Sequence, residues 1–134
     1  MIPPGALALC RGMEAKVLFI DDDPNWREIA LTALQGAGYS VVTAQDASEA
    51  MERAEGIELG LIILDLNLAG ESGLTFMKYL RQNLPDVPIL IFTGMEHDDS
   101  TVRAMLDQGA DQYLRKGSFE ELIVTVGSYF RNLG

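Results

Sequence analysis

The chain has 134 residues, 48% of them apolar, which is enough for one domain with a real core and hardly for two. Its net charge is −10, from 20 acids against 10 bases, and no Lys/Arg cluster offers a nucleic-acid surface. A single cysteine, Cys10, excludes an intrachain disulfide framework and a cysteine-cluster metal site, and no apolar run approaches the roughly 18 residues of a membrane span.

The opening stretch, "MIPPGALALCRG", fits none of the pattern that follows and lacks the basic start of a signal peptide. Residues 1–13 are read as a flexible leader, with Met13 a candidate natural start, and residues 14–134 as the domain. The lone cysteine and the lack of a secretion signal point to a reducing, cytoplasmic setting.

From Glu14 onward short apolar runs alternate with helical stripes. Strands are predicted at 16–20, 40–44, 59–64, 88–92 and 112–114. The first helical stripe is Trp26, Ile29, Ala30, Ala33, Leu34 and Ala37; the second is Ala47, Ala50, Met51 and Ala54. A third runs through Phe76, Met77, Leu80 and Leu84, and a thin fourth through Val102, Met105 and Leu106. The last is Phe119, Leu122, Ile123, Val126, Phe130 and Leu133. "DASE" at 46–49 and "SFEE" at 118–121 read as helix starts, a cap residue followed by Glu three later. Gly38, Gly56 and Gly109 follow stripes, where a left-handed cap suits glycine. "GAG" at 36–38 follows a helix rather than a strand, so it is no dinucleotide loop.

Five strand–helix units imply an α/β fold, a doubly wound five-stranded parallel sheet of flavodoxin-like (βα)5 type. In such sheets ligands bind outside the carboxyl ends of the strands, at the switch point of strand order. Acids stand at two of those ends: "KVLFIDDDP" closes on Asp21, Asp22 and Asp23, and "LIILDLNLAGESG" reaches Asp65 after Leu64. In the order 2-1-3-4-5 the first and third strands are neighbours, so Asp21, Asp22 and Asp65 converge. Acids that close either raise one another's pKa or require a counter-ion, and Mg²⁺ with its oxygen ligands suits them. Helix capping accounts for one acid at each strand end, not for three meeting in one crevice. The fourth strand ends on Thr93 and Gly94, the fifth on Arg115 and Lys116. A hydroxyl and an ammonium beside carboxylates suit phosphoryl oxygens.

With these residues in order, the chain from about Lys16 to Leu133 resembles a response-regulator receiver domain, of the chemotaxis-regulator type, the phospho-acceptor half of two-component signalling. The resemblance implies that Asp65 accepts the phosphoryl group. It implies that Asp21, Asp22 and Asp65 bind Mg²⁺ together with the backbone carbonyl of Asn67. Thr93 and Lys116 would contact the phosphoryl group, and Thr93 and Tyr113 would form the switch. The chain departs from the family pattern at two places: Leu68 and Ala69 replace a Met-Pro pair, and Gly117 replaces the proline after the lysine. With glycine there, a cis bond after Lys116 is not expected, since a non-proline cis bond costs about 2.5–4 kcal/mol. The "KGS" form resembles receivers joined to a DNA-binding helix-turn-helix.

The expected function is therefore a phosphorylation-controlled switch that assists only its own phosphorylation and dephosphorylation. A histidine kinase or phosphotransfer protein would be the donor, and a homodimer through the fourth helix, fifth strand and fifth helix one output. Neither nucleic acid nor membrane is expected to bind this chain directly. Asn67 and Met95, two residues after Asp65 and Thr93, would tune the lifetime of the phosphoryl group. The competing readings are a Mg²⁺-dependent phosphohydrolase with an aspartyl-phosphate, and an interaction module that works without phosphorylation. The hydrolase of haloacid-dehalogenase type would place its nucleophile as D-x-D after the first strand and add a cap insertion. The module would have a broken acid pair, Thr or Lys.

Overall fold

The computed structural model describes residues 15–65, 73–94, 99–117 and 119–131. Five strands, β1 (Lys16–Ile20), β2 (Val41–Ala44), β3 (Leu59–Leu64), β4 (Ile89–Thr93) and β5 (Gln112–Arg115), alternate with five helices. The helices are α1 (Pro24–Gly36), α2 (Ala47–Ala54), α3 (Gly73–Asn83), α4 (Asp99–Asp107) and α5 (Phe119–Arg131). The strands form one parallel sheet in the order β2-β1-β3-β4-β5.

The sheet is covered on both faces, which is why β3 and β4 read as continuous apolar runs rather than alternating ones. Val17, Phe19, Leu61, Ile63, Leu90 and Phe92 pack with Ala30 and Leu34 of α1 and Leu122 and Val126 of α5. Leu18, Ile20, Ile62, Leu64, Ile89 and Ile91 pack with Ala50 of α2, three residues of α3 and Met105 of α4. Each strand thus divides its side chains between two cores at period two.

Local signals account for the helix ends. Asp23 caps α1, accepting from the Asn25 N–H at 2.9 Å, and Pro24 takes the first turn. Asp46 caps α2 through the Glu49 N–H at 2.8 Å, while the Glu49 carboxylate reaches back to the Gln45 N–H at 3.1 Å. Gly38, Gly56 and Gly109 have φ of 99°, 77° and 128°, the left-handed caps predicted for them. Ser118 and Leu133 lie outside the described residues.

Some strand limits shift by one residue. β2 begins at Val41, and Ser40 serves it by accepting the Val17 N–H at 2.9 Å. β4 begins after Pro88, which has no N–H to give but accepts from the Ile62 N–H at 2.9 Å. Three stripe residues face outward instead of inward: Ile29, Ala37 and Leu106 are exposed. The α1 and α4 stripes are narrower than the apolar spacing suggests, because each helix meets only one face of the sheet.

Candidate functional site

The ladder itself delivers the acids. The Asp21 N–H donates to the Ala44 carbonyl at 3.0 Å and the Asp65 N–H to the Ile20 carbonyl at 3.0 Å. Both residues therefore continue the strand register by one position and turn their carboxylates into the crevice beyond β1 and β3. Asp21 and Asp65 are buried, at 0% and 5% exposure, and Asp22 is half-buried. One oxygen from each of the three lies within 4.8 Å of the others. Their donor set is all oxygen, which fits a hard divalent cation such as Mg²⁺. Asp23, the fourth acid of the pattern, spends a carboxylate oxygen on capping α1.

Lys116 enters from β5. Its N–H donates to the Thr93 carbonyl at 2.8 Å, which sets the loop after β5 against the end of β4. Its ammonium bonds to Oδ2 of Asp21 and lies 3.1 Å from Oδ2 of Asp65. The Lys116 side chain is only 7% exposed, so what could pass in the sequence for a solvated surface charge is a buried counter-ion. The peptide between Lys116 and Gly117 is trans, no cis bond being present among the described residues.

Burial pushes the Asp21 carboxyl above the usual carboxylate range, with the nearby Asp65 charge adding to the rise. The Lys116 ammonium and the Asp23 N–H, 3.0 Å from Oδ1, pull against it without cancelling it. Arg27 steadies the same residue through its backbone, donating to the Asp21 carbonyl at 2.9 Å.

Around these groups lies a cavity of about 320 Å³, lined by Asp21, Asp22, Asp23, Trp26, Asp65, Thr93, Gly94 and Lys116. Five residues singled out in the sequence, Asp21, Asp22, Asp65, Thr93 and Lys116, meet in it. Asn67 and Met95 lie outside the described residues. Tyr113 stands apart: its partner across β4 and β5 is Ile91, whereas Thr93 faces Arg115, so Tyr113 is two register pairs behind Thr93 on the same face. Trp26 was legible only as core. Its placement over the crevice follows from the short link between Asp22 and α1, which lays the first turn of that helix over the strand end.

The sequence profile of the response regulator receiver domain matches residues 17–126. The chain belongs to the response regulator receiver domain family. The probable transcriptional regulatory protein TcrX of Mycobacterium tuberculosis is 32% identical over 124 residues, covering 92% of this chain and 53% of TcrX. The Vibrio cholerae chemotaxis protein CheY4 superposes with a TM-score of 0.79 at 33% identity, covering 86% of this chain and 98% of that structure. A Burkholderia pseudomallei response regulator, solved with a phosphorylated aspartic acid, calcium ion and citrate, gives a TM-score of 0.74 at 28% identity, with coverage of 87% and 66%. The chain spans about half the length of the curated relatives it matches. As a receiver domain it has a signalling role in two-component regulation. Among the described residues, no helix is long and apolar enough to cross a membrane.

Proposed function

We propose that this receiver is switched by phosphorylation of Asp65, with a histidine kinase or phosphotransfer protein as donor. The observation that carries the reading is the triangle of Asp21, Asp65 and Lys116: two buried carboxylates held by one buried ammonium at the switch point of the sheet. Support comes also from the Burkholderia pseudomallei relative, which carries its phosphoryl group on an aspartic acid and a calcium ion.

In the proposed reaction an Asp65 carboxylate oxygen attacks phosphorus, the P–N bond of phosphohistidine breaks, and imidazole leaves. Asp21, Asp22 and Asp65 would hold Mg²⁺, which when bound offsets charge on the phosphoryl oxygens. The Lys116 ammonium exchanges its bond to Asp21 for one to a phosphoryl oxygen, and the Thr93 hydroxyl donates to another. Asn67 is proposed to add its carbonyl to the metal and, with Met95, to govern access of water.

Intact-mass spectrometry after incubation with acetyl phosphate and Mg²⁺ tests the proposal. One phosphoryl group should appear on the wild-type chain and none on Asp65→Asn, whose amide is no nucleophile. Label retained on Asp65→Asn would move the acceptor elsewhere. Multiple turnover of phosphate esters would favour a hydrolase, and no label at all an unphosphorylated interaction module.

A further inference from the structure

We infer that Trp26 is a positioning residue for the phosphoryl-transfer site, holding the Lys116 ammonium over the acids through the face of its indole. The Lys116 Nζ lies 4.5 Å from the centroid of the Trp26 ring, inside the range of a cation–π contact. An ammonium has three N–H donors. Two are directed at Asp21 and Asp65, and the indole covers the ammonium as well. Such a contact gains strength where water is excluded, and this side chain is 7% exposed.

The indole is itself fixed. Phe92 meets it edge-on, with centroids 6.1 Å apart and planes at 86°, and Phe119 lies 5.5 Å away, tilted by 32°. Phe92 precedes Thr93 on β4, and Phe119 opens α5 one turn after Lys116. The ring is thus wedged between the strand that carries the hydroxyl and the helix that follows the lysine. A residue serving the α1–α5 core alone would be adequate as an aliphatic. An aromatic face against the ammonium does more: it keeps a long, flexible side chain from swinging into solvent. Without it, Lys116 would still pair with the acids but would spend less time where a phosphoryl group arrives, and would compete less with Mg²⁺ for Asp21.

This inference rests on Asp65 being the acceptor, and its test has readouts that stand without that reading. The variants are Trp26→Met, which fills similar space with no π face, and Trp26→Phe, which retains one; each is made alone and with Lys116→Ala. NMR should show the ε-methylene protons of Lys116 shifted upfield by the indole ring current in the wild type. That shift should vanish in Trp26→Met and persist in part in Trp26→Phe. Calorimetric Mg²⁺ affinity should stay equal or rise in Trp26→Met, while labelling by acetyl phosphate at saturating Mg²⁺ slows about fivefold. In the Lys116→Ala background Trp26→Met should change neither quantity. Unshifted Lys116 protons in the wild type, a parallel loss of Mg²⁺ affinity and labelling, or equal slowing with and without Lys116 would overturn the inference. If the wild type takes no label, the acceptor assignment fails, and the ring-current shift and metal affinities decide the role of Trp26 by themselves.

Discussion

The ammonium of Lys116 lies 3.1 Å from Oδ2 of Asp65, a residue 51 positions earlier in the chain, and the same ammonium holds Asp21. One cation thus balances two buried acids contributed by neighbouring strands. Removing it leaves the acids facing each other with no positive charge between them. Lys116→Ala should therefore lower the stability of the metal-free protein by about 3 kcal/mol. Mg²⁺ should restore more stability to the variant than it adds to the wild type, because it then supplies the missing charge. Urea unfolding in EDTA and in Mg²⁺ measures both, and an equal metal increment in the two proteins would count against a shared site.

The raised pKa of Asp21 fixes the sign of a pH effect. Its folded value lies above its ordinary value of 3.8, mainly through burial. The ionised form is thus disfavoured by folding, and Asp21 subtracts stability at any pH above its folded pKa. That penalty is relieved as pH falls through the folded value toward 3.8. Asp21→Asn should accordingly stabilise the metal-free protein at neutral pH, and its advantage should shrink on acidification. Melting curves of both proteins in EDTA from neutral pH to mildly acidic pH test this; an advantage that grows with acidity would have the wrong sign.

A second cluster sits at the opposite end of the strands, before β4 and β5. The Arg81 guanidinium donates to the Gly109 carbonyl at 3.1 and 2.6 Å, to Pro85 at 3.0 Å and to Val87 at 2.9 Å. It also pairs with Asp111 at 2.7 Å, and Asp111 accepts the Ile89 N–H at 2.8 Å. The end of α3, the start of β4 and the turn into β5 are therefore tied by one planar group. Asp111 is partly exposed, so the ion pair is screened and the carbonyl bonds matter more. Arg81→Ala should cost about 2 kcal/mol and leave acetyl phosphate labelling unchanged. Slower labelling would mean that the two ends of the strands are coupled.

The strands were legible because burial on both faces leaves uninterrupted runs such as "ILIF", and the doubly wound order 2-1-3-4-5, taken from the alternation of strands and helices, is what brought Asp21 and Asp65 together. Capping chemistry is short-range, so the ends of α1 and α2 could be read from a few residues. Periodicity, in contrast, reports which side of a helix is apolar and not how far its neighbours reach; Ile29 and Leu106 are exposed for that reason. Trp26 escaped as a site residue because one aromatic carries two signatures at once. It packs on Phe92 and Phe119 as core, and it borders the acids through the short link between Asp22 and α1. The start of β5 at Gln112 was read correctly, but the pairing of Tyr113 with Ile91 depends on how β5 slides along β4, which hydrophobicity does not report.

That register decides how a signal would travel. Thr93 is fully buried at the end of β4, and Tyr113 sits two pairs behind it, half-buried against the core that includes Ile91 and Met105 of α4. If the Thr93 hydroxyl turns toward a phosphoryl group on Asp65, the space it leaves opens toward Tyr113, the one aromatic ring that β5 carries. Tyr113 turning inward would unload α4, whose stripe has a buried Met105, a half-buried Val102 and an exposed Leu106. The α4, β5 and α5 surface is therefore the one expected to move, and to bind a partner or a second copy more tightly in the phosphorylated state. A phosphate mimic shifts this balance only by its preference for the active arrangement. Beryllofluoride with Mg²⁺ should change hydrogen exchange in α4 and β5 of the wild type. Tyr113→Ala should abolish that change while still accepting the mimic and the phosphoryl group. Exchange differences confined to the strand ends around Asp65 would leave a phosphate site without this output.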